Sequence, residues 1–341
     1  MTAPESAPLT CLLREVSRSF HLTLRLLPTP VRTQIGVAYL LARATDTIAD
    51  TAILPMDLRI EALHLLKDRI LGVRAGPVDF GSLAENQARP AERLLLQRIE
   101  EVIAELNRFA CFDRCCVREV LETIASGQEL DLRRFGEADP GQVVALATEG
   151  DLDDYTFRVA GCVGGFWTRL CRSHLYPREP LCMARYLDDA GRFGKGLQLV
   201  NILRDLPVDL RQGRCYIPRA SLDQQGLQPE DLLDPGTEPR FRPLYSALLL
   251  QAADHLTAGW RYTCTTPRNQ FRVRLGCALP LLIGAETLRL LAVNRVLNPA
   301  RRWKVSRWRV RSLLFQAIVW HPFPHRWERL FSPELPDATF V

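Results

Sequence analysis

Several features that mark particular classes of protein are missing from this chain of 341 residues. None of its ten cysteines forms a CxxC pair, and no histidine stands near one at the spacing of zinc ligands, so no zinc site is expected. Strand-like alternation with Asn-Gly or Asp-Gly turns is absent, and nothing repeats at a period of about 20 to 50 residues, which argues against a solenoid. Only three lysines are present, so the net charge of +5 comes almost entirely from arginine.

The marks of an exported or integral membrane protein are also missing. The N-terminal stretch MTAPESAPLT has no basic region followed by an apolar one, so no signal peptide is expected. The most apolar long segment, 275–293, is interrupted by Glu286 and Arg289 and is predicted to be a buried core helix. Cysteines inside apolar stretches fit a reducing compartment. We therefore expect a cytoplasmic protein, with at most peripheral contact at the inner membrane surface.

What the sequence does contain is helical periodicity. Apolar residues make up 47% of the chain and recur every three or four residues, which predicts an all-α fold with a sizeable core. The segment 224–243, rich in Pro, Asp and Gly, is predicted to be the longest surface loop. We predict one helical domain over residues 1–298, followed by a basic, Trp-rich segment over 299–341. The predicted helices cover residues 8–27, 31–50, 56–73, 90–109, 112–130, 151–174, 180–210, 242–265, 269–296 and 306–320.

The C-terminal segment combines positive charge with tryptophans. Its basic and aromatic residues alternate over about thirty positions: Arg301, Arg302, Trp303, Lys304, Arg307, Trp308, Arg309, Arg311, Trp320, Arg326 and Trp327. Such a composition is typical of a membrane surface or of a site for an anionic cofactor. A solvated helix packed by its tryptophans is the simpler interpretation, and composition alone does not exclude it.

Two predicted helices end in pairs of aspartates. Asp46 and Asp50 form the first aspartate pair, and Asp205 and Asp209 form the second. A spacing of four residues places both carboxylates of a pair on one helix face, where they repel each other unless a cation lies beside them. A single pair is usually an arginine-paired surface feature. Two pairs on two apolar helices favour a functional site instead.

If the two pairs face each other, they provide the oxygen ligands that Mg²⁺ prefers. Magnesium commonly shares its coordination sphere with phosphate oxygens, so the predicted ligand is a diphosphate ester. The apolar helical core would then house a hydrocarbon chain and shield a carbocation from water. Four arginines beside the motifs would neutralise the remaining phosphate charge: Arg18, Arg43, Arg204 and Arg214.

Four ordered motifs resemble the squalene/phytoene synthase family of head-to-head trans-prenyltransferases, over about residues 10 to 315. They are Ser17-Arg18-Ser19-Phe20, the stretch from Tyr39 to Asp50, Tyr155 with the stretch 159–164, and the stretch from Gln198 to Asp209 followed by 213–218. The resemblance implies a single isoprenoid-synthase helical bundle with a central apolar cavity. Magnesium held by both aspartate pairs would bind the diphosphates of two farnesyl diphosphate molecules there.

The resemblance also implies roles for individual residues. Tyr155 and the four aspartates would be catalytic, with Tyr155 serving in proton transfer or cation guidance. The diphosphate region would be lined by Ser19, Phe20, Tyr39, Arg43, Gln198, Asn201, Arg204 and Arg214. NADPH would contact Arg18, Arg43, Lys304 and Arg307.

Two positions depart from the family pattern. Ala49 stands where the family often has an acidic residue, which leaves the number of magnesium ions open. Pro207 lies inside the second motif, where we expect a kink that shifts Asp209.

The reaction implied by the resemblance joins two farnesyl diphosphates to give presqualene diphosphate, which NADPH then reduces to squalene. The stretches 161–169 and 303–307 look closer to squalene synthases. The alternative is a phytoene or dehydrosqualene synthase, which needs no reductant. An alternative of another class is a non-catalytic assembly factor of the same fold, but such a protein is expected to lose the aspartates retained here. We expect a monomer that binds no nucleic acid.

Overall fold

The computed structural model of the protein describes residues 9–17, 24, 26–51, 53–136, 138, 141–332 and 334–336. The regular structure of these residues is helical, apart from two strands of two residues each, Val144–Ala145 (β1) and Arg214–Cys215 (β2), which pair in parallel. The predicted all-α class is therefore confirmed. In chain order the helices are α1 (Leu9–Ser17), α2 (Thr29–Ala49), α3 (Met56–Leu71), α4 (Gly81–Glu85), α5 (Pro90–Gln97), α6 (Ile99–Arg108), α7 (Cys111–Phe135), α8 (Glu149–Thr156), α9 (Cys162–Leu175), α10 (Met183–Leu210), α11 (Arg219–Asp223), α12 (Glu238–Thr265), α13 (Phe271–Val293), α14 (Arg307–Trp320) and α15 (Pro324–Glu328).

Some predicted boundaries differ from the structure. A π-helical turn, Phe157–Gly161, divides the predicted helix 151–174 into α8 and α9. The loop predicted over 224–243 is wrong in its last part, because α12 already begins at Glu238. Pro239 occupies the first turn of α12, where a missing N–H removes no intrahelical hydrogen bond. Part of the predicted helix 8–27 lies outside the described residues.

The chain divides into two compact units. The first unit comprises Met1–Arg133 and Arg169–Pro177, and the second comprises Arg134–Thr168 and Arg178–Val341. In the first unit, α2 packs against α1, α3, α5 and α6. In the second unit, α10 packs along α12, and both contact α13. The predicted domain boundary at residue 298 stays a prediction.

Helix α13 supplies much of the core of the second unit. Among the described helices it alone is long and apolar enough to cross a membrane by length and composition, and 67% of its most apolar stretch is buried in the fold. Burial on this scale is typical of a core helix, as the interrupting charges of Glu286 and Arg289 predict. Burial also raises the pKa of the Cys277 thiol on this helix to about 12, so this cysteine is an inert part of the core.

Helix α10 continues through Pro207 and ends at Leu210. Proline has no N–H to donate to the carbonyl of Leu203, four residues earlier. The Tyr245 hydroxyl of α12 donates a hydrogen bond to that carbonyl at 3.0 Å. Burial holds the pKa of Tyr245 well above its ordinary value, so the hydroxyl remains a donor. A neighbouring helix thus supplies the hydrogen bond that Pro207 removes, and the second aspartate pair stays on one continuous helix.

The variant Tyr245→Phe is expected to lower the free energy of unfolding by about 1 to 3 kcal/mol, because it leaves the buried Leu203 carbonyl without this donor. Urea denaturation followed by circular dichroism measures the loss. In a Pro207→Ala background the alanine N–H can reach the same carbonyl, so the same change is expected to cost less than half as much. Equal costs in the two backgrounds would contradict this assignment.

Candidate active site

The first aspartate pair lies at the C-terminal end of α2. Buried apolar residues recur along one face of this helix, as Leu41, Ala44 and Ile48 illustrate. This periodicity leaves Asp46 on the less buried face, and Asp50 caps the helix end with its N–H bonded to the Asp46 carbonyl at 2.9 Å. The two carboxylates therefore lie one helical turn apart, as the spacing predicts.

Arg43 connects the first pair to a third carboxylate. Its guanidinium donates to Asp46 at 2.6 Å and to Glu92 of α5 at 2.5 Å. Burial opposes ionisation of Glu92, but the bonds from Arg43 and Arg89 outweigh it and lower the Glu92 pKa. Arg43 is therefore shared between two anionic groups. No motif in the sequence pointed to Glu92, because its role arises only from the packing of α5 on α2.

The Asp46 carboxyl carries a negative charge that its surroundings do not fully compensate. Partial burial is the largest cause that raises its pKa, to about 6, and the adjacent charge of Asp50 is the next; Arg43 offsets these effects only in part. The side chain is recessed, yet 40% of its surface reaches solvent. An accessible oxygen ligand whose negative charge is only partly compensated fits a hard divalent cation such as Mg²⁺.

The second aspartate pair lies in the last two turns of α10 and has different partners. Arg204 donates to Asp205 at 2.6 Å, and Arg302 donates to it at 2.9 and 3.2 Å. Burial opposes ionisation of Asp205, but the two arginines outweigh it and hold its pKa below the ordinary value. Asp209 is half-buried. Asp205 is thus a fully ionised carboxylate already matched by positive charge.

Arg302 is a site residue that the sequence did not identify. It belongs to the irregular segment between α13 and α14, 97 positions after Asp205. Arg302 belongs to the predicted basic C-terminal segment, which no motif in the sequence linked to an aspartate pair. The contact shows that this segment reaches the second pair, where the side chains of Arg204 and Arg302 offer guanidinium donors suited to phosphate.

The carboxylate oxygens of each aspartate pair suit a magnesium ion that is also coordinated by phosphate oxygens. Within the described part of the chain, no group of three or more His, Cys, Asp or Glu side chains lies close enough to hold a metal ion. Each aspartate pair would therefore hold Mg²⁺ together with water and phosphate oxygens, as is usual for this ion. The first pair belongs to the first unit and the second pair to the second unit. Their facing arrangement and the central apolar cavity stay predictions.

Other predicted residues take varied positions. Gln198 is half-buried and Asn201 exposed, both on α10 before Asp205. Arg214 is half-buried on β2, directly after Gly213, whose φ of 76° favours glycine. Tyr39 is half-buried, and its hydroxyl lies 3.5 Å from the carbonyl oxygen of Val16. Three predicted residues lie outside the described residues: Arg18, Ser19 and Phe20.

Tyr155 is buried near the end of α8. Its ring stacks on Tyr216, with centroids 4.8 Å apart and an interplanar angle of 24°. Tyr216 in turn meets the Phe135 ring edge-on at 5.1 Å. Tyr216 lies in one of the family motifs, but the sequence assigned it no role. The structure gives it one, since it holds the Tyr155 ring in place.

A π-helical turn follows Tyr155, and such turns are frequent at functional sites. This turn and the start of α9 lie directly against the backbone of α10. A Cβ on Gly164 would overlap the carbonyl of Ala190, and one on Gly194 would overlap the carbonyl of Ala160. These glycines allow the close approach that sets Tyr155 relative to α10.

The predicted NADPH contacts differ in their surroundings. Lys304 and Arg307 are exposed, and Arg307 is the first residue of α14. By charge and accessibility these two fit an anionic cofactor. Arg43 is engaged with Asp46 and Glu92, which suits the metal and diphosphate region better than a nicotinamide cofactor.

Comparison with known proteins identifies the family. The family model described as squalene/phytoene synthase matches residues 13–309, close to the span of the predicted resemblance. The chain belongs to the squalene/phytoene synthase family, a family of prenyltransferases.

Two relatives and one solved structure illustrate the similarity. Squalene synthase ERG9 of Saccharomyces cerevisiae is 27% identical over 285 residues, which is 83% of this chain and 61% of that protein. A bifunctional lycopene cyclase/phytoene synthase of Colletotrichum graminicola is 30% identical over 247 residues, which is 71% of this chain and 39% of that protein. The chain thus spans about three fifths or less of these relatives.

A structure of TcSQS in complex with the ligand E5700 has a TM-score of 0.73 at 23% identity, covering 91% of this chain and 84% of that one. This likeness confirms the isoprenoid-synthase fold.

Proposed function

We propose that this protein joins two farnesyl diphosphate molecules head to head into presqualene diphosphate and reduces that intermediate with NADPH to squalene. The observation that carries the proposal is the pair of aspartate motifs, each at a helix end beside an arginine. Asp46 supplies a carboxylate that suits magnesium, and Arg204 beside Asp205 supplies a donor that suits a diphosphate. Squalene synthase is among the relatives, and the family match covers all the described motif residues.

In this mechanism the four aspartates would hold magnesium, which supplies Lewis-acid stabilisation of the departing diphosphate when bound. Arg43 beside the first aspartate pair, and Arg204 and Arg302 beside the second, would neutralise phosphate charge. The buried Tyr155 hydroxyl, fixed through its ring by Tyr216, takes part in the proton loss that closes the cyclopropane. Lys304 and Arg307 would bind the phosphates of NADPH.

The second candidate is a phytoene or dehydrosqualene synthase, which uses the same aspartates without a reductant. Phytoene synthases among the relatives favour it, such as that of Cereibacter sphaeroides at 30% identity over 253 residues.

Incubation of the protein with Mg²⁺ and either farnesyl diphosphate or geranylgeranyl diphosphate, each with and without NADPH, distinguishes the candidates by extraction and mass spectrometry of the products. Squalene formed only with NADPH, and presqualene diphosphate accumulating without it, are the expected results. A conjugated triene formed without reductant indicates dehydrosqualene synthase. Phytoene formed only from geranylgeranyl diphosphate indicates phytoene synthase. Absence of any product from either substrate favours the non-catalytic alternative.

Arg302 offers a specific test of the second aspartate pair. The variant Arg302→Gln removes one of the two guanidinium groups on Asp205, so Mg²⁺ alone is expected to bind more tightly. Inorganic diphosphate and farnesyl diphosphate lose a donor, and the KM for farnesyl diphosphate is expected to rise about five- to tenfold. Isothermal titration with each ligand and steady-state kinetics measure these opposite shifts.

The matched control is Arg301→Gln. Arg301 lies over the Trp303 ring at 5.9 Å, and it makes no hydrogen bond or ion pair with Asp205 in the described structure. The variant Arg301→Gln removes the same charge from the preceding position, so it is expected to leave the affinities for Mg²⁺ and for the diphosphates within about twofold. Equal effects of the two variants would show a general charge effect and contradict a direct role for Arg302.

A further inference from the structure

The charged side chains in the C-terminal part of the second unit are almost all positive. No aspartate or glutamate occurs from Thr287 to Trp327, between Glu286 and Glu328. The same stretch contains nine basic residues: Arg289, Arg295, Arg301, Arg302, Lys304, Arg307, Arg309, Arg311 and Arg326. A surface of this kind attracts anions, and the charge alone does not distinguish a small anion from an extended anionic surface.

Helix α14 has two apolar faces, and the described part of the chain covers one of them. The inner face buries Leu313 and Ala317 where α14 packs on α13, and Arg309 on that side binds Glu286 at 2.6 Å. The exposed residues of α14 all lie on the side opposite the inner face. We call that side the outer face of α14; it consists of Arg307, Trp308, Arg311, Phe315, Ile318 and Val319.

The outer face exposes large apolar side chains to solvent. Trp308 is 78% exposed, Phe315 67% and Ile318 46%, and Phe323, just beyond the helix, is 53% exposed. Scattered exposed apolar residues are normal, but a contiguous stripe rimmed by charge marks an interaction surface. Because Trp308, Phe315 and Ile318 recur at spacings of seven and three residues, they project together from the helix.

The composition of the stripe favours a lipid bilayer as its binding partner. A helix lying in a bilayer interface presents tryptophan and other apolar side chains to the acyl boundary and arginines to the lipid phosphates. Arg307 and Arg311 lie on the stripe itself, in a stretch without acidic residues. A second copy of the chain meeting the first across a twofold axis would bring these arginines together, and their repulsion disfavours that contact.

We propose that the outer face of α14 from Trp308 to Val319, extended by Phe323, docks the protein onto the surface of an anionic lipid bilayer. Trp308, Phe315 and Ile318 insert between the headgroups, and Arg311 contacts the lipid phosphates. The proposal depends on the exposed stripe and its charge, not on the reaction that the protein catalyses.

Flotation with vesicles tests the proposal on the full-length protein. Vesicles of phosphatidylcholine with one third phosphatidylglycerol are compared with pure phosphatidylcholine, at low and high salt. The wild type is expected to float with the anionic vesicles at low salt, less at high salt, and far less with neutral vesicles. Trp308→Ser/Phe315→Ser is expected to lower the partition coefficient more than tenfold, and Arg311→Gln about fivefold.

The matched control is Leu250→Ser on α12, which removes an apolar side chain that is 60% exposed elsewhere in the same unit. It is expected to leave vesicle binding within twofold. Circular dichroism and melting curves verify that every variant is folded. Retained binding by the double variant, or no binding by the wild type, overturns the proposal. A dimer in sedimentation experiments that the double variant dissociates would assign the stripe to a second copy and also overturn it.

Discussion

The variant Asp46→Asn is expected to lose at least about a hundredfold in product formation while its metal-free form is as stable as wild type or more stable. Activity falls because a proposed magnesium ligand is lost. Stability does not fall, because burial and the charge of Asp50 raise the pKa of Asp46 to about 6, so the ionised carboxylate is unfavourable in the folded state. With 40% of the side chain exposed to solvent, the gain is at most about 1 kcal/mol.

The pH dependence follows from the same shift. Since the folded-state pKa is raised, the destabilisation is complete above pH 6 and disappears as the pH falls below the ordinary value of 3.8. Magnesium and the proton compete for the same carboxylate, so stabilisation by Mg²⁺ with inorganic diphosphate is expected to be large at pH 8 and small at pH 5. Differential scanning fluorimetry with and without Mg²⁺ measures both effects. In Asp46→Asn, the pH dependence that Asp46 gives to the stability and to the stabilisation by Mg²⁺ is expected to be absent.

Asp205→Asn is the matched comparison, because it removes a carboxylate with the opposite electrostatic environment. Arg204 and Arg302 lower the pKa of Asp205 despite its burial, so its charge stabilises the fold above the ordinary pKa and is lost as the pH falls through the lowered value. This variant is expected to lose activity too, but with a loss of about 1 to 2 kcal/mol in the free energy of unfolding. A change of the same sign in the free energy of unfolding of both variants would contradict the assigned electrostatic difference between the two aspartate pairs.

The helices that carry the aspartates could be predicted from the sequence because local patterns determine them. Apolar residues at three- and four-residue spacing give α2 and α10, and a separation of four residues places both aspartates of a pair on one face. The family resemblance followed from the same motifs and was confirmed by the family match.

The partners of these aspartates could not be predicted in the same way. Glu92 reaches Arg43 because α5 packs on α2, and Arg302 reaches Asp205 across 97 positions of the chain. Neither contact has a periodicity or a motif that would reveal it. The kink expected at Pro207 stays a prediction. The hydrogen bond that Pro207 removes is replaced by the Tyr245 hydroxyl of another helix, and no local pattern reveals that contact.

The π-helical turn after Tyr155 was also beyond reach of the sequence. Apolar spacing in 151–174 fits one regular helix, and a shift of hydrogen bonding by one residue barely alters that pattern. In the structure, Gly161 and Gly164 let this backbone lie directly against α10.

Gly164→Ala tests that contact and is expected to lower the free energy of unfolding by about 3 kcal/mol or more. The new Cβ would overlap the Ala190 carbonyl, and because the obstacle is backbone, no side-chain rotation relieves it. The helices must separate, and this displaces the segment that carries Tyr155. Urea denaturation measures the loss, and a variant that folds is expected to show lower kcat as well.

Gly165→Ala provides the control from the adjacent position of the same helix. A Cβ there meets no atom of the described residues within 4 Å, so the substitution is expected to be neutral or to stabilise the helix by up to about 1 kcal/mol through higher helix propensity. The two variants add the same methyl group to neighbouring residues, so composition and propensity cancel in the comparison. A difference in stability therefore reports the backbone approach alone. If Gly164→Ala unfolds at the same urea concentration as Gly165→Ala, α9 and α10 do not touch at Gly164, and the positioning of Tyr155 must have another origin.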